Sequence, residues 1–331
     1  MATTLTTTDA VQALKAAGDP SRLRILATLE HHDLSVGELV EVLAQSQPRV
    51  SRHLRVLVEA GLLRRHAEGT SAFYGIDRTS PIAAVVTDLL TQLESSDPDI
   101  TRDGERLMRI RNVRSQRATR YFEQVASDWD RVRSTHVPEA DIEAALVDLL
   151  ERRPRGEFLD LGTGTGRMLE VAAPHIDRGV GIDTSRDMLA VARHKLEQQR
   201  FSHCHVRHGD VYNVDLPSGG VDTAVFHHVL HFLNDPASAI NEAARTLRPN
   251  GMLTIIDFAP HSIEMLRDEY EHVRLGFTED EVSGWCSAAG LENISAMNFT
   301  PSQEGADVLT VTLWTAMQRA DAHPSHTLEV A

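Results

Sequence analysis

The segment Phe158-Leu-Asp-Leu-Gly-Thr-Gly-Thr-Gly-Arg167 constrains this chain more than any other. An apolar run passes directly into three alternating glycines and then into helix-forming residues, which reads as strand, tight turn and helix. Glycine has no Cβ, so such a turn lets the main chain approach a bound molecule closely. The rhythm continues with strands expected at 157–161, 179–183, 204–208, 221–227, 251–258, 292–299 and 307–315. Helices are expected between them at 165–174, 185–199, 236–247 and 278–289, the last opened by a Thr278/Glu281 capping box and stopped by Gly290. Alternation of this kind specifies a mostly parallel seven-stranded sheet with helices on both faces. The short 301–306 loop joining the last two strands points to an antiparallel edge.

The front of the chain follows a different pattern, and 331 residues leave room for a second domain. Pro20 suits the first turn of a helix carrying Leu23, Leu26 and Leu29, and Ser35 with Glu38 forms a capping box for a helix ending near Ala44. A short turn through Ser46 and Pro48 enters a helix that stops before Gly61. Its period places Val50, Leu54 and Leu57 inward and Arg49, Arg52, His53 and Arg55 outward. Residues 62–76 read as two strands around Glu68-Gly-Thr70, and Pro81 opens a further apolar-striped helix. The composition breaks at Glu94-Ser-Ser-Asp-Pro-Asp-Ile, after which a charged helix is expected from about Asp103 to Arg133, containing Tyr121, Phe122 and Trp129. These breaks divide the chain into a domain at 1–95, a helical connector and lid at 96–135, an α/β domain at 136–317 and a tail at 318–331.

Charge is unevenly placed. The net charge is −15, yet five arginines (49, 52, 55, 64 and 65) face one acid, Glu59, between Gln47 and His66. Nucleic-acid affinity follows where basic groups sit, so an acidic total does not exclude it. No run approaches the ~18 apolar residues of a membrane span. The start shows no basic end followed by an apolar stretch, so no secretion signal is expected. The two cysteines, Cys204 and Cys286, suit a reducing cytoplasm rather than a disulfide scaffold.

Over residues 9–95 the chain resembles the ArsR family of winged-helix bacterial repressors. Gly18-Asp-Pro-Ser-Arg-Leu-Arg-Ile-Leu, the Leu34-Ser-Val-Gly-Glu-Leu helix and Ser46-Gln-Pro-Arg-Val-Ser-Arg-His-Leu-Arg-Val-Leu-Val-Glu-Ala-Gly-Leu-Leu carry the likeness. The resemblance implies an α+β winged helix-turn-helix, a homodimer joined through the Pro81–Leu93 helix, and operator DNA as partner. Gln47, Arg49, Ser51, Arg52, His53 and Arg55 would face the groove, with Arg64 and Arg65 beside the wing on phosphate. Arsenical-sensing members use a cysteine pair where this chain has Ser35 and Gly37, and the last helix offers Asp88 and Glu94 without histidine. No metal is therefore expected.

From about residue 120 to 317 the chain resembles class I S-adenosylmethionine-dependent methyltransferases, whose domain is a Rossmann-like α/β fold. The landmarks are Asp160-Leu-Gly162-Thr-Gly164-Thr-Gly166, Gly181-Ile-Asp183-Thr-Ser-Arg-Asp-Met188, Gly209-Asp210-Val211, Asp222-Thr-Ala-Val-Phe-His-His and Leu247-Arg-Pro-Asn-Gly251. The resemblance implies S-adenosylmethionine or S-adenosylhomocysteine as ligand. Asp160 would take its ammonium, Asp183 the ribose hydroxyls, Asp210 and the Val211 amide the adenine edge, and Met188 the adenine face. Tyr121 would belong to a lid. A dinucleotide dehydrogenase shares the architecture, but its usual Gly-x-Gly-x-x-Gly spacing differs from the spacing here.

The catalytic group is not fixed by the sequence. His227, His228, His231 and His261 fall at the expected rim and suit proton transfer near neutrality. His227 and His231 would also share a face, as metal ligands do, if that stretch were helical. Arsenite methylation needs more cysteines than these two. The expectation is a transcription regulator that couples methyl metabolism to DNA binding. The alternative is a small-molecule methyltransferase whose helix-turn-helix serves for dimerisation.

Overall fold

The structure is a computed structural model, and it describes residues 6–30, 34–68, 71–77, 80–93, 97–125, 139–300 and 309–320. The chain divides into two compact units, Met1–Gln116 and Arg117–Ala331. No helix among the described residues is long and apolar enough to cross a membrane.

The first unit runs α1 (Thr7–Ala17), α2 (Pro20–Thr28), β1 (Leu34–Ser35), α3 (Val36–Leu43), α4 (Gln47–Glu59), β2 (Leu63–Glu68), β3 (Ser71–Ile76) and α5 (Pro81–Thr91), followed by the start of α6 (Pro98–Val125). The helix starts that the sequence marks at Pro20, Ser35, Ser46 and Pro81 are present. Asp19 accepts from the Arg22 amide ahead of Pro20, and Ser35 and Glu38 satisfy each other's main-chain amides. Ile25, Leu26, Leu39, Val42, Val50, Leu54 and Leu57 form the core, and β1, β3 and β2 make a small antiparallel sheet beside it.

Helix α6 begins at Pro98, earlier than the Asp103 start expected from sequence. The reason is local: the Asp97 carboxylate accepts from the Asp99 and Ile100 amides at 2.9 and 3.2 Å, and Pro98 follows it where a first turn tolerates proline. Asp103 thus falls a turn inside the helix and is buried. Its two oxygens take the Arg24 Nε and Nη2 at 2.7 Å each, and Leu107 joins the core of the first unit.

The second unit runs α7 (Glu139–Glu151), β4 (Glu157–Leu161), α8 (Arg167–Ala172), β5 (Arg178–Asp183), α9 (Arg186–Gln198), β6 (Cys204–His208), β7 (Val221–His227), α10 (Pro236–Thr246), β8 (Leu247–Phe258), α11 (Met265–Tyr270), α12 (Glu279–Ala288), β9 (Leu291–Phe299) and β10 (Val311–Gln318). The sheet has seven strands in the order β6-β5-β4-β7-β8-β10-β9. The pairs from β6 to β8 are parallel, and β10 lies antiparallel between β8 and β9. This is the α/β sheet with an antiparallel edge that the sequence specifies. Helix α7 carried no sequence expectation, although Ile142, Leu146 and Leu150 bury its stripe against the sheet.

The strand order reverses between β4 and β7. A crevice opens at such a switch point, beyond the carboxyl ends of the parallel strands. The glycine turn leaves β4 there, Asp183 ends β5, and His227 ends β7.

Candidate cofactor and acceptor site

The turn after β4 is built on left-handed main chain. Gly162, Gly164 and Gly166 have φ of +73, +52 and +82°, a region that side-chain-bearing residues avoid. A Cβ on Gly162 would stand 2.5 Å from the Val229 side chain, and one on Gly166 would stand 3.0 Å from the Ala192 Cβ. The Gly162 and Thr163 amides both donate to the Ile182 carbonyl at 2.9 Å, which ties the turn to β5.

That tie continues into Asp183. Its Oδ2 accepts from the Gly164 amide and its Oδ1 from the Ser185 amide, each at 2.8 Å. Burial pushes this carboxyl up from its ordinary range, opposed by main-chain hydrogen bonds from Ser185, Gly164 and Thr184. Ser185 also caps α9 through the Met188 amide, and Met188 is buried on the first turn. Asp160 is buried at 1% exposure and accepts from the Thr163 hydroxyl at 2.6 Å. Asp210 is exposed and accepts from the Tyr212 amide at 3.0 Å. The Val211 side chain packs in the core, so only its main chain is available to a ligand. The Tyr121 side chain lies outside the described residues.

A second cluster sits at the ends of β7 and β8. His231 Nδ1 lies 2.6 Å from Asp257 Oδ1, and the His231 amide donates to Oδ2 at 3.3 Å. The two side chains are 2% and 0% exposed. A carboxylate on Nδ1 fixes the proton there and leaves Nε2 as the basic nitrogen. Burial holds the His231 imidazole well below its ordinary range and raises Asp257 to about 6. His272 packs on His231 in a tilted arrangement with ring centroids 4.1 Å apart, and the Val273 and Arg274 amides donate to the His231 carbonyl. His261 accepts from the Ile263 amide through Nδ1, and burial pushes it down to about 4.

His227 and His231 are not a helical pair. His227 closes β7, and His231 lies in the 3-10 turn Leu230–Phe232. The close groupings are instead Glu139 with His227 and His228, and His228 with His231 and Asp257. Glu139, Asp257, His272 and Thr163 were not singled out from sequence. Asp257 had a signal, an acid inside the apolar strand run Leu253-Thr-Ile-Ile-Asp-Phe258. Glu139 had none, because its helix carries no motif.

In the first unit, α3 and α4 form the helix-turn-helix, with Ala44 in left-handed conformation (φ 50°) at the turn. Gln47, Arg49, Arg52, Arg55 and Arg65 are exposed, and Ser51 and Arg64 are half-buried. His53 departs from the expectation. It is 5% exposed, turned with Val50, Leu54 and Leu57 toward the core, with Nδ1 3.9 Å from Asp19. Burial pushes its imidazole down, so it is a packing residue rather than a groove-facing donor. The thiols of Cys204 and Cys286 are buried and pushed up to about 11 and 12, so neither is a reactive thiolate.

Comparison with known proteins agrees with this layout. The bacterial regulatory protein family arsR matches residues 19–65, and a methyltransferase-domain family matches residues 159–255. The uncharacterized HTH-type transcriptional regulator MJ1325 of Methanocaldococcus jannaschii is 40% identical over 83 residues, covering 24% of this chain and 93% of that protein. The chain belongs to the ArsR family of regulators and carries a methyltransferase domain. A 37.1 kDa uncharacterized protein of a Streptomyces fradiae transposon is 34% identical over 143 residues, covering 41% of each chain. The uncharacterized methyltransferase YcgJ of Bacillus subtilis is 24% identical over 150 residues, covering 42% of this chain and 57% of its own length. This ArsR-family chain therefore matches about half the length of those two relatives. Among solved structures, the complex of the Haloferax volcanii Trm112 methyltransferase activator with a methyltransferase superposes with a TM-score of 0.50 at 20% identity. It covers 60% of this chain and 97% of that one, and shows the same fold.

The residues fit S-adenosylmethionine. The left-handed glycine turn keeps main chain half-exposed at Gly162 and Gly164, Asp183 stands beside it at the tip of β5, and Asp160 and Asp210 come from β4 and from just beyond β6.

Proposed function

We propose that this chain is a DNA-binding transcription regulator whose second unit binds S-adenosylmethionine or S-adenosylhomocysteine. The observation that carries the reading is Asp183, held by the Gly164 amide at the mouth of the glycine turn and followed by a helix capped through Ser185. In this arrangement Asp183 accepts from both ribose hydroxyls, and Asp160 accepts from the ammonium of the ligand's amino-acid end. The Asp210 carboxylate and Val211 amide recognise the adenine edge. Exposed Gln47, Arg49, Arg52 and Arg55 on α4 support a groove-facing role, with Arg64 and Arg65 on β2 meeting phosphate. A homodimer would present two such helices to an operator, and the cytoplasm is the compartment that such a regulator occupies.

A second reading, catalysis on a small acceptor, is favoured by the His231–Asp257 pair. When bound, S-adenosylmethionine supplies an activated methyl group on a sulfonium. The chain's part is to position the acceptor, exclude water, and receive the acceptor's proton at His231 Nε2. Either way, a ligand changes DNA affinity only by its preference between two states, typically about 1–3 kcal/mol.

Calorimetric titration of the full chain with both ligands, alongside operator binding with and without each, tests the reading. Saturable binding and a ligand-dependent operator affinity are expected. Arg52→Ala is expected to weaken DNA binding and lower its salt slope while leaving ligand affinity unchanged. Absence of heat with either ligand at millimolar excess would overturn the cofactor assignment. Operator affinity that ignores the ligand would overturn the coupling.

A further inference from the structure

We infer that Glu139, His227 and His228 form a binding site for one divalent transition-metal ion of the zinc type, beside the acceptor end of the crevice. The three residues each offer one ligand atom, and these atoms lie within 4.8 Å of one another. His227 Nε2 stands 3.6 Å from one oxygen of Glu139, and His228 Nε2 stands 3.8 Å from the other. A tetrahedral ion with ligand bonds of about 2.1 Å separates its ligands by about 3.4 Å, so ligands already within 4.8 Å of one another close on an ion by side-chain rotation of about an ångström. Two imidazoles and one carboxylate, with a position left open, is a donor set that borderline divalent ions accept.

The main chain supplies an independent reason. Adjacent residues of a strand point to opposite faces, so neighbouring histidines ordinarily cannot share a target. Here β7 ends at His227, and His228 takes φ +54°, a left-handed conformation unusual for a residue with a side chain. The turn brings the two rings to 4.6 Å between centroids, both directed at Glu139. His228 is held in that conformation by its amide, which donates to the Ile256 carbonyl at 2.8 Å. Unusual main-chain geometry that aims two imidazoles at one carboxylate is what a metal site requires.

Asp257 and His231 adjoin the site without belonging to it. Asp257 already accepts from His231 Nδ1, the His231 amide and the Phe258 amide, and His228 approaches it as a second ring. Asp257 places a buried negative charge beside His228, which favours a cation at the neighbouring site. The ion's binding rests on this geometry alone. Only its use, to polarise an acceptor oxygen or thiol at the open position, rests on the methyltransferase reading.

The test uses the full chain stripped with chelator, with no adenosyl ligand present. It is titrated with Co2+ followed by visible absorption and with Zn2+ followed by calorimetry. One saturable equivalent with a tetrahedral Co2+ spectrum is expected. Glu139→Gln and His228→Gln are each expected to weaken it by tenfold or more, while His205→Gln on the exposed face of β6 leaves it unchanged. Glu139 lies at the start of a helix, so Glu139→Gln, checked by circular dichroism, keeps the test valid if His228→Gln fails to fold. No saturable equivalent, or wild-type affinity in a folded Glu139→Gln variant, would overturn the site. Adenosyl-ligand binding is measured separately, so either assignment can fail alone.

Discussion

The Gly164 amide donates to Asp183 Oδ2 at 2.8 Å, joining the glycine turn to the tip of the neighbouring strand. The acid is thereby aimed before any ligand arrives, and part of the ordering cost of binding is already met. Asp183→Ala removes two charge-assisted acceptors and is expected to raise the S-adenosylmethionine dissociation constant about a hundredfold, near 3 kcal/mol. Calorimetry checks this, and an affinity within threefold of wild type (roughly 0.6 kcal/mol) contradicts the assigned role.

Gly162 is irreplaceable for two separable reasons, its φ of +73° and the Val229 side chain 2.5 Å from any added Cβ. Gly162→Ala is expected to cost about 1–2 kcal/mol from main-chain strain and a further ~1–3 kcal/mol from overpacking. In a cycle with Val229→Ala, the second part is recovered and the first persists. Thermal unfolding of the four proteins measures both. Strict additivity would show that the two side chains do not meet.

The buried Arg24–Asp103 pair spans α2 and α6. The Asp103 carboxylate raises the Arg24 guanidinium further, through a side-chain hydrogen bond. Asp103→Ala leaves a part-buried guanidinium without its carboxylate and is expected to destabilise the first unit by about 3 kcal/mol. Differential scanning calorimetry reads the loss, and adenosyl-ligand affinity is expected to stay unchanged. An unaltered unfolding profile would mean that the contact carries no stability.

Burial makes His261 one source of acid sensitivity, beside His231 and His272, whose imidazoles are also held down. Burial lowers His261 to about 4 from the ordinary 6.5, so between those values the unfolded chain takes up a proton that the folded chain refuses. Its contribution is complete above pH 6.5 and is lost as the pH falls toward 4. Asp257, raised to about 6, acts with the opposite sign: its contribution is present below its ordinary 3.8 and lost as the pH rises through 6. His261→Gln removes only the first effect. The fall in melting temperature between pH 6.5 and 4 is expected to be shallower in that variant, and an identical slope would exclude His261 as a source.

Much of the second unit was legible because its signals are local. The glycine turn, the acids closing β4 and β5, and the Thr278/Glu281 box depend on residues a few positions apart. The Ser35/Glu38 box and the inward phase of Val50, Leu54 and Leu57 were legible for the same reason. His53 was misjudged because one position on a helix separates an inward face from an outward one, and an imidazole reads as polar until its burial is known. Asp103 looked like one charge among many, since its partner Arg24 is 79 positions away. The meeting of His227, His228 and Glu139 depends on a single left-handed residue and on a helix without a motif, and neither leaves a periodic trace.

The early start of α6 also bears on where the two units can be cut apart. Exchanging the front module at the acid-rich Glu94–Asp97 seam would leave Asp103 without Arg24 and Leu107 without the core it packs into. An exchange that preserves this packing has to carry the turns through Ile110 along with the front module.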